Sequence, residues 1–236
     1  MKLSESVFRL KRKAKLLSRS ESIRLHEALR RVAVEEGYTD WSLLVAKSRA
    51  SSHAELFARL KPGDLVLVAA RPGQGKTLLA LKLALEAMRS GNRAAFFTLE
   101  YTERDIADRF QAIGADHAQY AGLFACDCSD DIHADYIIRV LASAPPRTLV
   151  VIDYLQLLDQ KRRHPDLGEQ VRALRTFSRD RDLIMVFISQ IDRSYNPSLK
   201  PYPDLSDVRL PNPLDLRLFD KTCFLGNGEV RFQGAD

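Results

Sequence analysis

Ala70-Arg-Pro-Gly-Gln-Gly-Lys-Thr77 stands between an apolar run, Leu65 to Ala69, and an amphipathic stretch that opens at Lys76, and its reading decides the fold. A glycine-bearing loop between a strand and a helix is the setting in which backbone N–H groups close around phosphates. Gly73 and Gly75 let the backbone bend there, with Ala70, Arg71, Pro72 and Gln74 completing the loop. Lys76 is placed to reach the β and γ oxygens of a triphosphate, and Thr77 to hold Mg²⁺. Only Ala70 departs from the pattern G-x-x-x-x-G-K-[ST]. ATP and Mg²⁺ are therefore the expected ligands.

Outward from this loop, short β-rich runs alternate with helical stretches, as a mostly parallel sheet covered by helices requires. Strands are expected at Leu65 to Ala69, Ala94 to Thr98, Leu123 to Cys126, Leu149 to Asp153 and Ile184 to Ser189, with Thr222 to Leu225 and Glu229 to Phe232 closing the sheet. Helices are expected at Lys76 to Arg89, Glu103 to Ile113, Asp131 to Ala142 and Leu167 to Arg179. The expected fold class is α/β, and the glycine loop with its flanking elements resembles a RecA-like P-loop core. Asp192 to Leu218 carries Pro197, Pro201, Pro203, Pro211 and Pro213 and reads as a long loop of the kind that is functional or disordered.

Three further positions complete the candidate site. Asp153 ends the run Leu149-Val-Val-Ile-Asp153, where a strand-end carboxylate can face the phosphate loop and bind Mg²⁺ through water. Glu100, in Phe96-Phe-Thr-Leu-Glu100, is placed to orient or deprotonate water, a role that the residues alone leave open. Gln190 follows the Phe187-Ile-Ser189 strand end and is a candidate γ-phosphate sensor on equally open terms.

The first 31 residues hold ten cations against only Glu5, Glu21 and Glu27, more than the whole +5 excess of the 236-residue chain. A basic end on a near-neutral body suits nucleic acid or another anionic partner; a solvated helix face fits equally. Leu3, Val7, Leu10, Ala14 and Leu17 recur at helical spacing through it. Ser20 reads as the N-cap of a second helix stopping at Gly37, and Thr39 or Asp40 as the cap of a short third helix. Residues 1–50 are thus expected to form a basic helical unit, and 51–236 the ATPase domain. Cys126, Cys128 and Cys223 suggest neither a disulfide framework nor a zinc site, and the five histidines look scattered. No apolar run approaches the ~18 residues of a membrane span, so a cytoplasmic protein is expected.

Taken together, these motifs resemble DnaB-type replicative DNA helicases. Leu60-Lys-Pro-Gly-Asp-Leu-Val-Leu-Val-Ala-Ala-Arg-Pro72, running on to Thr77, looks like that family's phosphate loop, including its habitual alanine at the first position. Phe96-Phe-Thr-Leu-Glu100, with Thr102, Glu103 and Arg109 beyond it, is similar to the segment carrying the family's catalytic base. Val151-Ile-Asp-Tyr-Leu-Gln-Leu157 resembles its Walker B strand, and Ile188-Ser-Gln-Ile-Asp-Arg-Ser194 the strand ending in its sensor glutamine. The resemblance implies a base at Glu100, a metal ligand at Asp153, a sensor at Gln190 and a nucleotide contact at Arg109. It also implies loops that grip single-stranded DNA, here Lys161, Arg162, Arg163, Arg193 and Lys200, and a homo-oligomeric ring.

The resemblance weakens toward the end of the chain. Leu210-Pro-Asn-Pro-Leu214 replaces the family's continuation after Leu205-Ser-Asp-Val-Arg209. The basic pair that the family sends into a neighbour's site lacks a clear counterpart, with Lys221 or Arg231 as substitutes outside the pattern. The basic helical unit is expected to stand in place of the family's amino-terminal domain. Two functions fit: an ATP-driven motor on single-stranded DNA, or a DnaB-derived accessory ATPase with slow hydrolysis.

Overall fold

The structure is a computed structural model describing residues 3–5, 7–159, 164–196, 200, 202–210, 212–226 and 229–234. The chain forms two compact units, Met1–Glu55 and Leu56–Asp236.

In the first unit, α1 (Val7–Ser20), α2 (Leu25–Glu35) and the start of α3 (Trp41–Ala58) surround a small core. Leu10 and Ala14 are buried in it beside Ala28, Val32, Ala33 and Leu44, with Val7 and Leu17 partly covered, as the helical spacing requires. Ser20 does not cap α2. It ends α1, where its hydroxyl donates to Leu17 O at 3.2 Å, and the chain turns at Ser22 before entering α2 from Arg24. Asp40 does cap α3, its Oδ1 accepting Leu43 N at 2.8 Å. That helix runs 18 residues, well past the short element expected. Part of the basic surface is paired within the unit, Lys13 with Glu35 and Arg31 with Glu21, both at 2.6 Å. Such exposed pairs contribute at most ~1 kcal/mol each.

The second unit follows the order β1 (Leu65–Ala70), α4 (Lys76–Arg89), β2 (Ala94–Thr98), α5 (Glu103–Ala112), β3 (Phe124–Asp127) and α6 (Ala134–Val140). It continues with β4 (Leu149–Asp153), α7 (Leu167–Asp180), β5 (Ile184–Gln190), β6 (Lys221–Gly226) and β7 (Glu229–Gly234). The seven strands lie in the order β3-β2-β4-β5-β1-β6-β7. All neighbours are parallel except β7, which returns antiparallel on β6.

Alternation along each strand divides the core between two sheet faces. Val66, Val68, Val151, Val186 and Ile188 meet Leu79, Leu83 and Met88 of α4 and Ile106 and Phe110 of α5. Leu65, Leu67, Val150, Ile152 and Phe187 meet Ile137 of α6 and Leu167, Val171 and Leu174 of α7. Because both faces are covered, the inner strands read as continuous apolar runs, which is what made them legible.

Several strand and helix ends shift by one or two residues, and two local outcomes differ further from expectation. Helix α6 starts at Ala134, not Asp131, since His133 is fully extended (φ −151°) and serves as its N-cap residue. Lys221 is buried, its ammonium 2.8 Å from the Asp64 carboxylate and donating to Arg59 O. Charge buried with its partner is expensive to extract, so Lys221 is a structural cation and is not available to reach a neighbour's site. Arg231 is exposed on β7, its guanidinium 5.8 Å from the centre of the Tyr202 ring.

The described residues of the Asp192 to Leu218 segment are irregular, with 3₁₀ turns at Leu205–Asp207 and Leu216–Leu218, and Val208 forms an antiparallel bridge with Ile191. Among the described residues, no helix is long and apolar enough to cross a membrane.

Candidate functional site

The sheet register gathers the predicted residues. Ala70 of β1 pairs with Gln190 of β5, while Asp153 of β4 pairs with Ile188 of β5 and with Thr98 of β2. Four adjacent strands therefore end in one row, the edge at which open α/β sheets bind ligands.

The loop after β1 is shaped by two glycines in the left-handed region, Gly73 at φ 73° and Gly75 at φ 84°. A Cβ at either would meet nothing within 4 Å, so it is the backbone angle that demands glycine, and the space before the loop is open. At the start of α4, Leu79 N donates to Gly75 O at 2.9 Å. Earlier N–H groups have no intrahelical partner and carry the positive end of the helix dipole.

Thr77 Oγ1 donates to Asp153 Oδ2 at 2.8 Å, joining the phosphate loop to the end of β4. Asp153 is 1% exposed. Burial pushes its pKa up to about 6; the Thr77 hydrogen bond opposes this, Glu100 adds to it, and the Lys76 and Arg109 cations oppose it. Lys76 is shifted down, first by burial, against the upward pull of Asp153 and Glu100. Its Nζ lies 3.4 Å from Arg71 O.

Asp153 should consequently oppose folding once ionised. Its folded-state pKa stands above the ordinary 3.8, so its contribution to stability is fully present at low pH and is lost as the pH rises through about 6. In chemical denaturation without Mg²⁺ or nucleotide, Asp153→Asn is expected to exceed the parent by up to about 3 kcal/mol at neutral pH and to match it near pH 4. Identical pH profiles for the two proteins would remove Asp153 from this role.

Glu100 lies two residues past β2, exposed, its N–H bonded to Thr98 Oγ1 at 3.0 Å. A capping box between Thr102 and Asp105 then starts α5. That helix presents Arg109, whose guanidinium sits 4.2 Å over the Tyr101 ring while its buried Nε makes no hydrogen bond. Gln190 is half-buried, and its carbonyl accepts Arg209 N at 2.8 Å.

Of the expected nucleic-acid residues, Arg193 is exposed three positions after Gln190. Lys200 is held by Asp204 at 2.7 Å and Asp207 at 2.5 Å, so a phosphate would compete with two carboxylates for it. Lys161, Arg162 and Arg163 lie outside the described residues.

Sequence reasoning overlooked Gln156. Its amide donates to Arg209 O at 2.8 Å and approaches Ser189 Oγ at 3.4 Å, tying the turn after β4 to the segment after β5. The available signal was a lone amide in the run Tyr154-Leu-Gln-Leu-Leu158. The histidines are also less scattered than expected, since the rings of His133 and His164 lie 4.3 Å apart.

The DnaB-like helicase C-terminal domain model matches residues 46–120 and 129–213, most of the chain and both halves of this site. The chain belongs to the DnaB-like helicase C-terminal domain family. Replicative DNA helicase DnaB of Helicobacter pylori is 28% identical over 179 residues, covering 62% of this chain and 37% of the relative. DnaB of Geobacillus stearothermophilus is 28% identical over 180 residues, with 62% and 39% covered. The chain thus spans less than two-fifths of the length of either DnaB. Among solved structures, an ATPase domain aligns with a TM-score of 0.57 at 22% identity, over 77% of this chain and 81% of that one. A DnaB-like replicative helicase, described with its interactions with primase, aligns with a TM-score of 0.57 at 19% identity, over 95% and 73%. Both share the RecA-like fold of the DnaB-like domain.

The residues of this DnaB-like site fit a Mg²⁺-bound nucleotide. The loop face is open, Thr77 and Asp153 form the hard oxygen pair that Mg²⁺ favours, and Arg109 Nε is a buried donor without an acceptor.

Proposed function

We propose that this chain binds and hydrolyses ATP with Mg²⁺ and acts as a DnaB-like motor on single-stranded DNA. The observation that carries the reading is the 2.8 Å contact between Thr77 and Asp153 at the mouth of the glycine loop. Mg²⁺, when bound, neutralises charge on the phosphate oxygens. Thr77 would hold it directly and Asp153 through water, while Lys76 meets the β and γ oxygens. Glu100 takes the proton of the attacking water, Arg109 contacts the nucleotide, and Gln190 reports the γ-phosphate to the segment bonded at Arg209. Lys161, Arg162, Arg163, Arg193 and Lys200 are the proposed phosphate contacts on DNA, sequence-independent and salt-sensitive. The proposed working form is a homo-oligomeric ring with sites at subunit boundaries.

A second reading, an accessory ATPase with slow hydrolysis, is favoured by one observation: Lys221 is buried with Asp64 and is removed from the candidates for a trans-acting finger. Absence of such a finger costs roughly 10³-fold or more in phosphoryl-transfer rate.

Steady-state ATP hydrolysis with and without single-stranded DNA, at low and moderate salt, separates the two. The motor requires about tenfold or greater stimulation that fades with salt, together with nucleotide-dependent assembly on gel filtration. Slow, DNA-indifferent turnover by a monomer would establish the accessory reading.

A further inference from the structure

Three ligating side chains outside the glycine loop converge where the turn after β3 meets the segment before α7. Asp131 and His133 lie in the turn between β3 and α6, and His164 lies just before α7. One ligand atom from each falls within 4.8 Å of the others. His164 Nε2 is 3.7 Å from Asp131 Oδ1, and the two imidazoles are tilted by 36° with centres 4.3 Å apart. The His164 side chain is only 9% exposed. None of these groups has a part in the nucleotide chemistry.

We propose that Asp131, His133 and His164 form a binding site for a divalent transition-metal ion of the zinc class. The donor set selects the ion: two imidazoles with one carboxylate suit Zn²⁺, Co²⁺ or Ni²⁺, whereas Mg²⁺ and Ca²⁺ prefer all-oxygen surroundings. Donors at the usual ~2.0–2.2 Å from a tetrahedral ion stand roughly 3.4 Å apart. Closing from 4.8 Å takes about an ångström of side-chain movement, within reach of small rotations of the rings. His133 Nδ1 is buried without a hydrogen bond, a state that costs free energy and that a ligated or reoriented ring relieves.

Independent support comes from Gln170 of α7, itself 1% exposed. Its Oε1 accepts the N–H of Ala134, adjacent to His133, at 3.0 Å. Its Nε2 donates to the carbonyl of Pro165, adjacent to His164, at 2.8 Å, and to Leu158 O at 2.5 Å. One buried amide therefore fixes both histidine-bearing segments before any ion arrives, and this is the preorganisation a metal site requires. Three protein donors leave one position for water.

The test uses the full chain stripped with a chelator and titrated with Co²⁺, read by its visible absorption, and with Zn²⁺ against a chromophoric competitor. One tight equivalent is expected, undiminished by millimolar Mg²⁺, and Zn²⁺ should raise the melting temperature. Affinity should fall by about 100-fold in His133→Ala and in His164→Ala. Asp131→Asn, at a side chain 41% exposed and therefore gentle to packing, should weaken binding at least about tenfold. Two controls separate other donors: Asp153→Asn for the nucleotide site and Cys126→Ser with Cys128→Ser for the thiols, whose sulfurs lie 3.7 Å apart. No bound ion, full affinity in all three ligand variants, or loss only in a control would overturn the proposal and leave a stacked histidine pair.

Discussion

Lys76→Ala is expected to weaken nucleotide binding by about 10²-fold or more. Truncating one partner of a desolvated charge pair costs about 2–5 kcal/mol, and here the partners are the β and γ phosphate oxygens. The same variant should leave the ligand-free protein at least as stable as the parent, because burial already disfavours the charged ammonium and lowers its pKa. The difference appears on adding ligand: a protein at 100 times its Kd gains about 2.7 kcal/mol of stability, and the variant should gain almost none. Thermal shift with and without Mg²⁺ and ATP is the direct measurement. A parent-like shift in Lys76→Ala would mean that the loop does not hold the phosphates as proposed.

Glu100→Gln is expected to keep nucleotide affinity within a few-fold and to lose turnover by about 10²–10⁴-fold, the usual contribution of a general base. Glu100 raises the pKa of both Asp153 and Lys76, so it shares their electrostatic field while standing exposed past the strand end. Removing its charge eases ionisation of Asp153, which favours metal binding. Single-turnover hydrolysis set beside equilibrium binding separates the two effects. Normal turnover would place the base elsewhere, whereas loss of both binding and turnover would make Glu100 a contributor to the nucleotide pocket.

The fold was legible wherever burial on both faces left unbroken apolar runs. Leu149–Asp153 and Ala94–Thr98 have the expected limits, and Ile184–Gln190 extends one residue beyond its expected end. Lys76–Arg89 was legible from the glycine that precedes it. Capping in the basic unit was less so: Ser20 and Asp40 both have capping side chains, and only the path of the chain decides that Asp40 is used and Ser20 is not. Lys221 looked like a free cation because Asp64, its counter-charge, is 157 positions away in sequence and meets it only through the pairing of β1 with β6. His133 and His164 escaped notice for the same reason, since no short spacing joins them and Gln170 brings their segments together.

The row of strand ends works as a ruler. Neighbouring strands lie about 4.8 Å apart, so the columns headed by Gln190, Asp153 and Thr98 stand roughly 5, 10 and 14 Å from the column of Ala70. These intervals are set by backbone ladders that cannot slide without turning every side chain to the opposite face. Tolerance at each mark is therefore a matter of bond lengths: a side chain one methylene too long misses its mark even when its charge is right.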